Sequence, residues 1–230
     1  GAAGRGGRAG GGGEGPAGGG EEEGGGFFFR PTGPLVVPGK YTVTMAKRVE
    51  GVLTPLPGSQ TFEVVAEGVS TRDDRVAMAD FQEKLARLQK ASNAADQSAT
   101  EARTRLDAIV RAIDATPSLP PKLREEARNL ERRLAEITRA LRGDAVMRAR
   151  NEATPESISE RVSSAAQSLR LTTGHPTKTA IENYQIASDE LATEIPKLRR
   201  LVETDIRAIE KQLDAAGAPP TPGRLPDWKK

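Results

Sequence analysis

Met78-Ala79-Asp80-Phe81-Gln82-Glu83-Lys84-Leu85-Ala86-Arg87-Leu88 opens the stretch that decides the fold of this 230-residue chain. Its seam runs on through Ser92, Ala95, Ala99, Ala102, Leu106, Ile109 and Ile113, in alternating steps of three and four residues from Met78. At about 3.6 residues per turn such steps keep every seam position on one stripe of a helix, with polar residues on the other face. The spacing predicts a helix over residues 76–114, with Asp73 and Asp74 at its start, where negative charge complements the helix dipole and free amides need acceptors. The small seam residues Ser92, Ala95, Ala99 and Ala102 predict a partner helix at close approach.

That partner is expected in residues 181–213. Its seam is Ile181, Tyr184, Ser188, Leu191, Ile195, Leu198, Val202, Ile206, Ile209 and Leu213. Pro196 lies inside it, removes one backbone hydrogen bond and predicts a kink or break over residues 192–195. Two shorter helices are expected between the long ones. The first follows Thr116-Pro117-Ser118, with Ser118 as cap, Pro120 and Pro121 in its first turn, and Leu123, Ala127, Leu130, Leu134, Ile137 and Leu141 as its stripe up to Gly143. Over residues 144–153 a loop or frayed helix is expected, with Val146 and Met147 tucked in. The second short helix starts at Thr154-Pro155-Glu156, with the threonine as cap, and buries Ile158, Val162, Ala165 and Leu169. Gly174 ends it, and His175-Pro176-Thr177 starts the last helix. Two long and two short helices predict a mainly α fold: an antiparallel up-down-up-down four-helix bundle over residues 73–216, with four helices at one end and a two-helix stem near the strands.

Upstream the pattern changes period. Tyr41-Thr42-Val43-Thr44-Met45-Ala46 and Thr61-Phe62-Glu63-Val64-Val65 alternate as strands. The connection over residues 47–60, with Gly51, Pro55, Pro57 and Gly58, is expected to be a long loop. Two strands alone are marginal in water. Residues 27–70 are therefore expected to be the end of an immunoglobulin-like module whose other strands lie upstream, or to lean on the helices. Residues 1–26 are mostly glycine and predict a disordered linker. Phe27, Phe28 and Phe29 are expected to dock on something. Residues 217–230 form a Pro-rich tail whose Trp228 is expected to anchor on the bundle or a neighbour. The chain begins in linker composition without a methionine and is expected to be a fragment of a longer protein.

Composition excludes several function classes. Apolar residues at 36% and aromatics at 3% leave a thin aliphatic core, unlike an enzyme domain with a deep pocket. The formal net charge of +2 comes from interspersed signs and argues against a nucleic-acid groove. With no cysteine and a single histidine, a zinc site has too few ligands. No run approaches the roughly 18 apolar residues of a membrane span.

No catalytic, cofactor-binding or metal-ligating residue is assigned. His175 precedes a proline at a helix start, where a capping or solvent-facing role is expected rather than catalysis. The acidic pairs Glu125-Glu126 and Asp73-Asp74 diverge by about 100° on a helix and do not converge on one substrate. Ser157, Ser163 and Ser164 lack a base. Arg132-Arg133, Arg199-Arg200, Arg148 and Arg150 have acidic neighbours and are expected on solvated salt-bridge faces. The run Gly4-Arg5-Gly6-Gly7-Arg8 resembles an arginine-glycine RNA-binding segment, but two arginines beside four glutamates suit a linker better.

Several motifs together carry a family resemblance. A glycine-rich linker leads into Gly33-Pro34-Leu35-Val36-Val37-Pro38-Gly39-Lys40-Tyr41-Thr42-Val43. Phe62-Glu63-Val64-Val65 is followed by Asp73-Asp74-Arg75-Val76 and a long helix. The end is Leu213-Asp214-Ala215-Ala216-Gly217-Ala218-Pro219, then Pro222-Gly223-Arg224-Leu225-Pro226. Over residues 33–228 the chain resembles the C-terminal region of bacterial sortilin-like, BNR-repeat β-propeller proteins, often labelled glycosyl hydrolases. The family often has a proline after the aspartate where this chain has Asp74 directly before Arg75. The resemblance implies a secreted or periplasmic protein in which a large propeller precedes an immunoglobulin-like module and a helical tail. It implies a non-catalytic scaffold or interaction region, acting as spacer or docking surface toward its own propeller or another protein subunit. The alternative is an accessory part of a glycan-hydrolysing or glycan-binding propeller enzyme. No functional residue carries over, because the family's ligand surface lies on the propeller. No cofactor, nucleic acid or membrane span is expected.

Overall fold

A computed structural model describes residues 36–65, 68, 70–170, 172 and 174–224. The expectations for residues 1–26, for Phe27, Phe28 and Phe29, and for Trp228 fall outside the described residues. The described chain is mainly helical with one small two-stranded antiparallel sheet.

The sheet precedes the helices and pairs β1 (Gly39–Val49) with β2 (Val52–Val64). Helix α1 spans Arg72–Asp114, about 65 Å at 1.5 Å rise per residue. Its start is a capping box. The Asp74 backbone N–H donates to the Thr71 hydroxyl at 3.1 Å, and the Asp74 carboxylate accepts from the Thr71 N–H at 3.1 Å. Every position of the predicted seam from Met78 to Ile113 is buried, joined by Ala108 and Ala112 near the C-terminal end.

Helix α2 (Pro121–Arg142) buries the whole predicted stripe from Leu123 to Leu141 and stops at Gly143, whose φ of 85° suits glycine. Ser118 does not cap it. The N-cap is Pro120, with no side-chain bond, and Pro121 at the first position has no N–H to satisfy. A five-residue helix, α3 (Ala145–Ala149), follows, capped by Asp144, which accepts from the Val146 and Met147 amides at 3.0 and 3.2 Å. Val146 points into solvent rather than inward, and Met147 is half-buried.

Helix α4 (Ile158–Arg170) starts later than expected. Thr154 is not its cap. Instead the Ser157 N–H and hydroxyl donate to the Glu160 carboxylate at 2.8 and 2.7 Å, and the Glu160 N–H returns to the Ser157 hydroxyl. A serine with glutamate three residues on satisfies two free amides, which outcompetes a threonine followed by proline. Ile158, Val162, Ala165 and Leu169 are buried as expected.

Helix α5 (Lys178–Arg200), capped by Thr177, runs through Pro196 without a break at residues 192–195. The irregularity lies further on, as a π-helical turn over Leu201–Asp205, before α6 (Ile206–Ala215). The turn changes which side chain faces inward. At 100° per residue Leu201 and Ile206 would lie about 140° apart, but the wider π turn brings both onto one face. Leu201 and Ile206 are both fully buried, and Val202, a predicted seam residue, is only partly so. In the first half of α5 the buried stripe is Ala180, Ala187 and Leu191, with Tyr184 packed against it. The expected Ile181 is 39% exposed.

The expected four-helix end with a two-helix stem is not the arrangement found. Helix α2 packs on the C-terminal half of α1, where Arg142 pairs with Asp96 and Arg124 with Asp114. Helix α4 packs on the other half of α1 and on α5. Arg161 and Ser164 of α4 reach Asn183 on α5, and the neighbouring Tyr184 ring meets Phe81 of α1 edge-on at 5.6 Å. Further along, Glu210 of α6 pairs with Arg105 of α1. Thus α1 and the α5–α6 unit run the same way, and α2 and α4 together form the returning leg between them. Helices short in sequence sum to one long leg, and the three legs share one continuous core.

Candidate functional site

The connection expected to be a long loop is itself paired. β1 turns into β2 through Glu50 and Gly51 alone, with φ of 49° and 84°, and Val49 faces Val52 across the turn. Positive φ at both central residues is the type I′ geometry, whose twist matches the flanking strands. The prolines that suggested a loop sit where a hairpin tolerates them. Thr44 pairs with Ser59 and Ala46 with Pro55, so Leu56, Pro57 and Gly58 bulge opposite Met45. Missing N–H groups cost nothing at a bulge or on a strand with an open outer edge.

Register sorts the side chains by face. Gly39 faces Val64, Tyr41 faces Phe62 and Val43 faces Gln60, so this face is apolar except for Gln60. Its base is ordered by the stacked rings of Tyr41 and Phe62, 5.8 Å apart, and by the Tyr41 hydroxyl, which donates to the Val37 carbonyl at 2.5 Å. The opposite face carries Lys40 against Glu63, Thr42 against Thr61 and Thr44 against Ser59. An apolar face beside a polar one belongs over a core. Here it is open: Val43 is 50% exposed, Phe62 49% and Met45 66%. Beyond the bulge Val49, Val52 and Leu53 are exposed as well.

Elsewhere the charged groups form structural pairs. Asp74 is held below the usual carboxylate range by the Thr71 side chain and amide. Asp144 is lowered mainly by the Met147 amide, and Glu160 mainly by the Ser157 amide. The Asp96 carboxylate raises Arg142. Ser157 is buried in its cap, and Ser163 and Ser164 are exposed on α4. Glu125 and Glu126 are exposed on α2. Arg133 pairs with Asp205 at 2.7 Å, Arg148 with Glu160 at 2.9 Å, and Arg200 approaches Asp205 at 4.0 Å. The His175 ring lies 3.0 Å from the Pro176 carbonyl through Nδ1. Among the described residues no three His, Asp or Glu side chains cluster to hold a metal, and no helix is long and apolar enough to cross a membrane.

What the sequence missed is the extent of the hairpin. The alternation of Tyr41–Ala46 was visible, but Glu50-Gly51 is a weaker turn signal than Asn-Gly, and Pro55 and Pro57 masked the second strand. No family model, no curated protein and no solved structure matches the chain.

Proposed function

We propose that this chain is a non-catalytic scaffold and docking region of an exported β-propeller protein, and that its hairpin supplies the closing strands of an immunoglobulin-like sandwich begun by preceding residues. The observation that carries this reading is the contrast within one chain. The helices bury their own stripes, whereas an amphipathic hairpin leaves an apolar face uncovered. Exposed apolar surface of that kind, rimmed by polar residues, marks an interaction site. Face-to-face packing of two sheets, about 10 Å apart, would cover it, and the alternation of Tyr41, Val43, Phe62 and Val64 has the period such packing needs. The resemblance of residues 33–228 to the C-terminal region of such propeller proteins, the end of an immunoglobulin-like module and its helical tail, supplies the context.

Trypsin susceptibility at Lys47 and Arg48, both exposed on β1, tests it. In this chain alone both bonds are expected to be cut rapidly. In a polypeptide that adds about 100 residues of the preceding sequence, enough for a sandwich domain, they are expected to resist. Equal cleavage rates in the two polypeptides would remove the proposal.

A further inference from the structure

A crevice of about 540 Å³ opens where the end of α2, the α3 turn, residues 153–157 and α5 meet. Gly143 creates it. With φ of 85°, and with a Cβ placed only 2.5 Å from the Arg148 guanidinium, no other residue fits there without displacing Arg148. The chain therefore leaves α2 abruptly, and Ala153 and Pro155 come back across the gap. The floor is apolar, formed by Ala140, Met147, Ala153 and Pro155. Acidic residues line it from both helices, Glu136 from α2 and Glu190 and Glu194 from α5.

The charges around the crevice do not cancel. Its one lining cation, Arg139, is held by Asp144 at 3.0 Å. Glu194 is tied to Lys197 at 2.7 Å and Glu156 to Arg161 at 3.1 Å. Glu136 and Glu190, both exposed and both lining the crevice, have no ion-pair partner among the described residues. The crevice is thus locally negative in a chain whose formal charge is +2.

We propose that this crevice docks a lysine- or arginine-bearing peptide segment of a partner protein, with an apolar side chain on the floor and the cation between Glu136 and Glu190. Long cationic side chains suit both surfaces at once: their methylene stems cover apolar area while the charged head reaches carboxylates. Charge complementarity selects the occupant, because an acidic segment or a nucleic acid would meet like charge from both helices. A simple polyamine would satisfy the carboxylates but leave the floor wet. The volume falls within the range of pockets that hold small ligands. This surface lies on the helices and stands or falls independently of the hairpin.

The test titrates the isotope-labelled chain with the peptide acetyl-Lys-Leu-Lys-Leu-Lys-amide and follows its backbone amide resonances. Controls are the matching glutamate peptide and spermine. The lysine peptide is expected to move the amides of Ala140, Met147 and Ala153 and to bind at least about tenfold more tightly than spermine, with affinity falling as salt rises. The double variant Glu136→Gln/Glu190→Gln, at two exposed positions, is expected to weaken binding by about tenfold while leaving resonances elsewhere unchanged. The proposal is overturned by shifts confined to other surfaces, by no shifts at about 1 mM peptide, by spermine or the glutamate peptide binding as well, or by full affinity in the double variant.

Discussion

The hairpin and the helices solve the same problem differently. Each carries apolar residues in the period of its own secondary structure, period two in β1 and β2 and a three-four alternation in α1. The helices satisfy theirs internally: Leu106, Ile109, Leu123, Leu141, Ile158, Leu201, Ile206 and Leu213 are all essentially inaccessible to water. The hairpin does not, and its apolar face looks outward. Regular periodicity therefore fixes local structure in both regions, but fixes a core only where the chain also supplies the opposing surface.

The largest effect that separates the regions is core truncation. Leu106→Ala is expected to cost about 2–5 kcal/mol, since the residue is fully buried and a cavity remains. Val43→Ala, at an apolar but open position, is expected to change stability by less than about 0.5 kcal/mol. Chemical denaturation followed by helical circular dichroism measures both, and equal losses would break the comparison.

The π turn gives the next test. Leu201→Ala is expected to cost about 2–4 kcal/mol and Val202→Ala about 1 kcal/mol or less, because the turn puts Leu201 rather than Val202 in the core. The reverse order would restore the regular seam expected from sequence. A similar but smaller loss is expected at the bidentate pair of Arg105 and Glu210, whose carboxylate side chain is 9% exposed. Glu210→Ala leaves Arg105 unpaired and should cost about 2 kcal/mol. An Arg105→Met/Glu210→Leu double variant should recover most of it. A thermal melt of the single and double variants decides this.

The smallest effects lie at the caps. Ser157→Ala is expected to cost about 1 kcal/mol at neutral pH. Because Asp74, Asp144 and Glu160 are lowered in the folded chain, each contributes stability that is fully present above the unfolded carboxylate range, about pH 4, and is lost as pH falls through the lower folded values. Stability should be flat from about pH 5 to 8 and fall below about pH 4, with part of that fall missing in Ser157→Ala. A decline that begins above pH 6 would contradict the assignment.

Legibility followed the strength of the local signal. The seam of α1 and the stripes of α2 and α4 were read residue by residue, because leucine, isoleucine and alanine at unbroken spacing admit one helical face. The buried stripe of α5 lies one residue from the expected one, at Ala180 and Ala187 instead of Ile181 and Ser188. Alanine is apolar enough to be buried but too common on surfaces to compete with Ile181 as a marker. The shift at Leu201 depends on a turn type that propensity does not encode. The three-leg arrangement was hidden because α2 and α4 look like separate helices until their lengths are added end to end. No reactive cluster was expected. The crevice could not be anticipated, because Glu136 and Glu190 lie far apart in sequence and come to line one crevice only through the packing of α2 on α5.

Native-state hydrogen exchange bears most directly on the central distinction. In this chain alone, amides of α1, α2 and α5 facing the core should exchange only through global unfolding, whereas those of β1 and β2 should exchange through low-energy local opening, orders of magnitude faster. Protection of the hairpin amides equal to that of Leu106 and Leu134 would show that the hairpin is already part of a completed core, and would contradict the account.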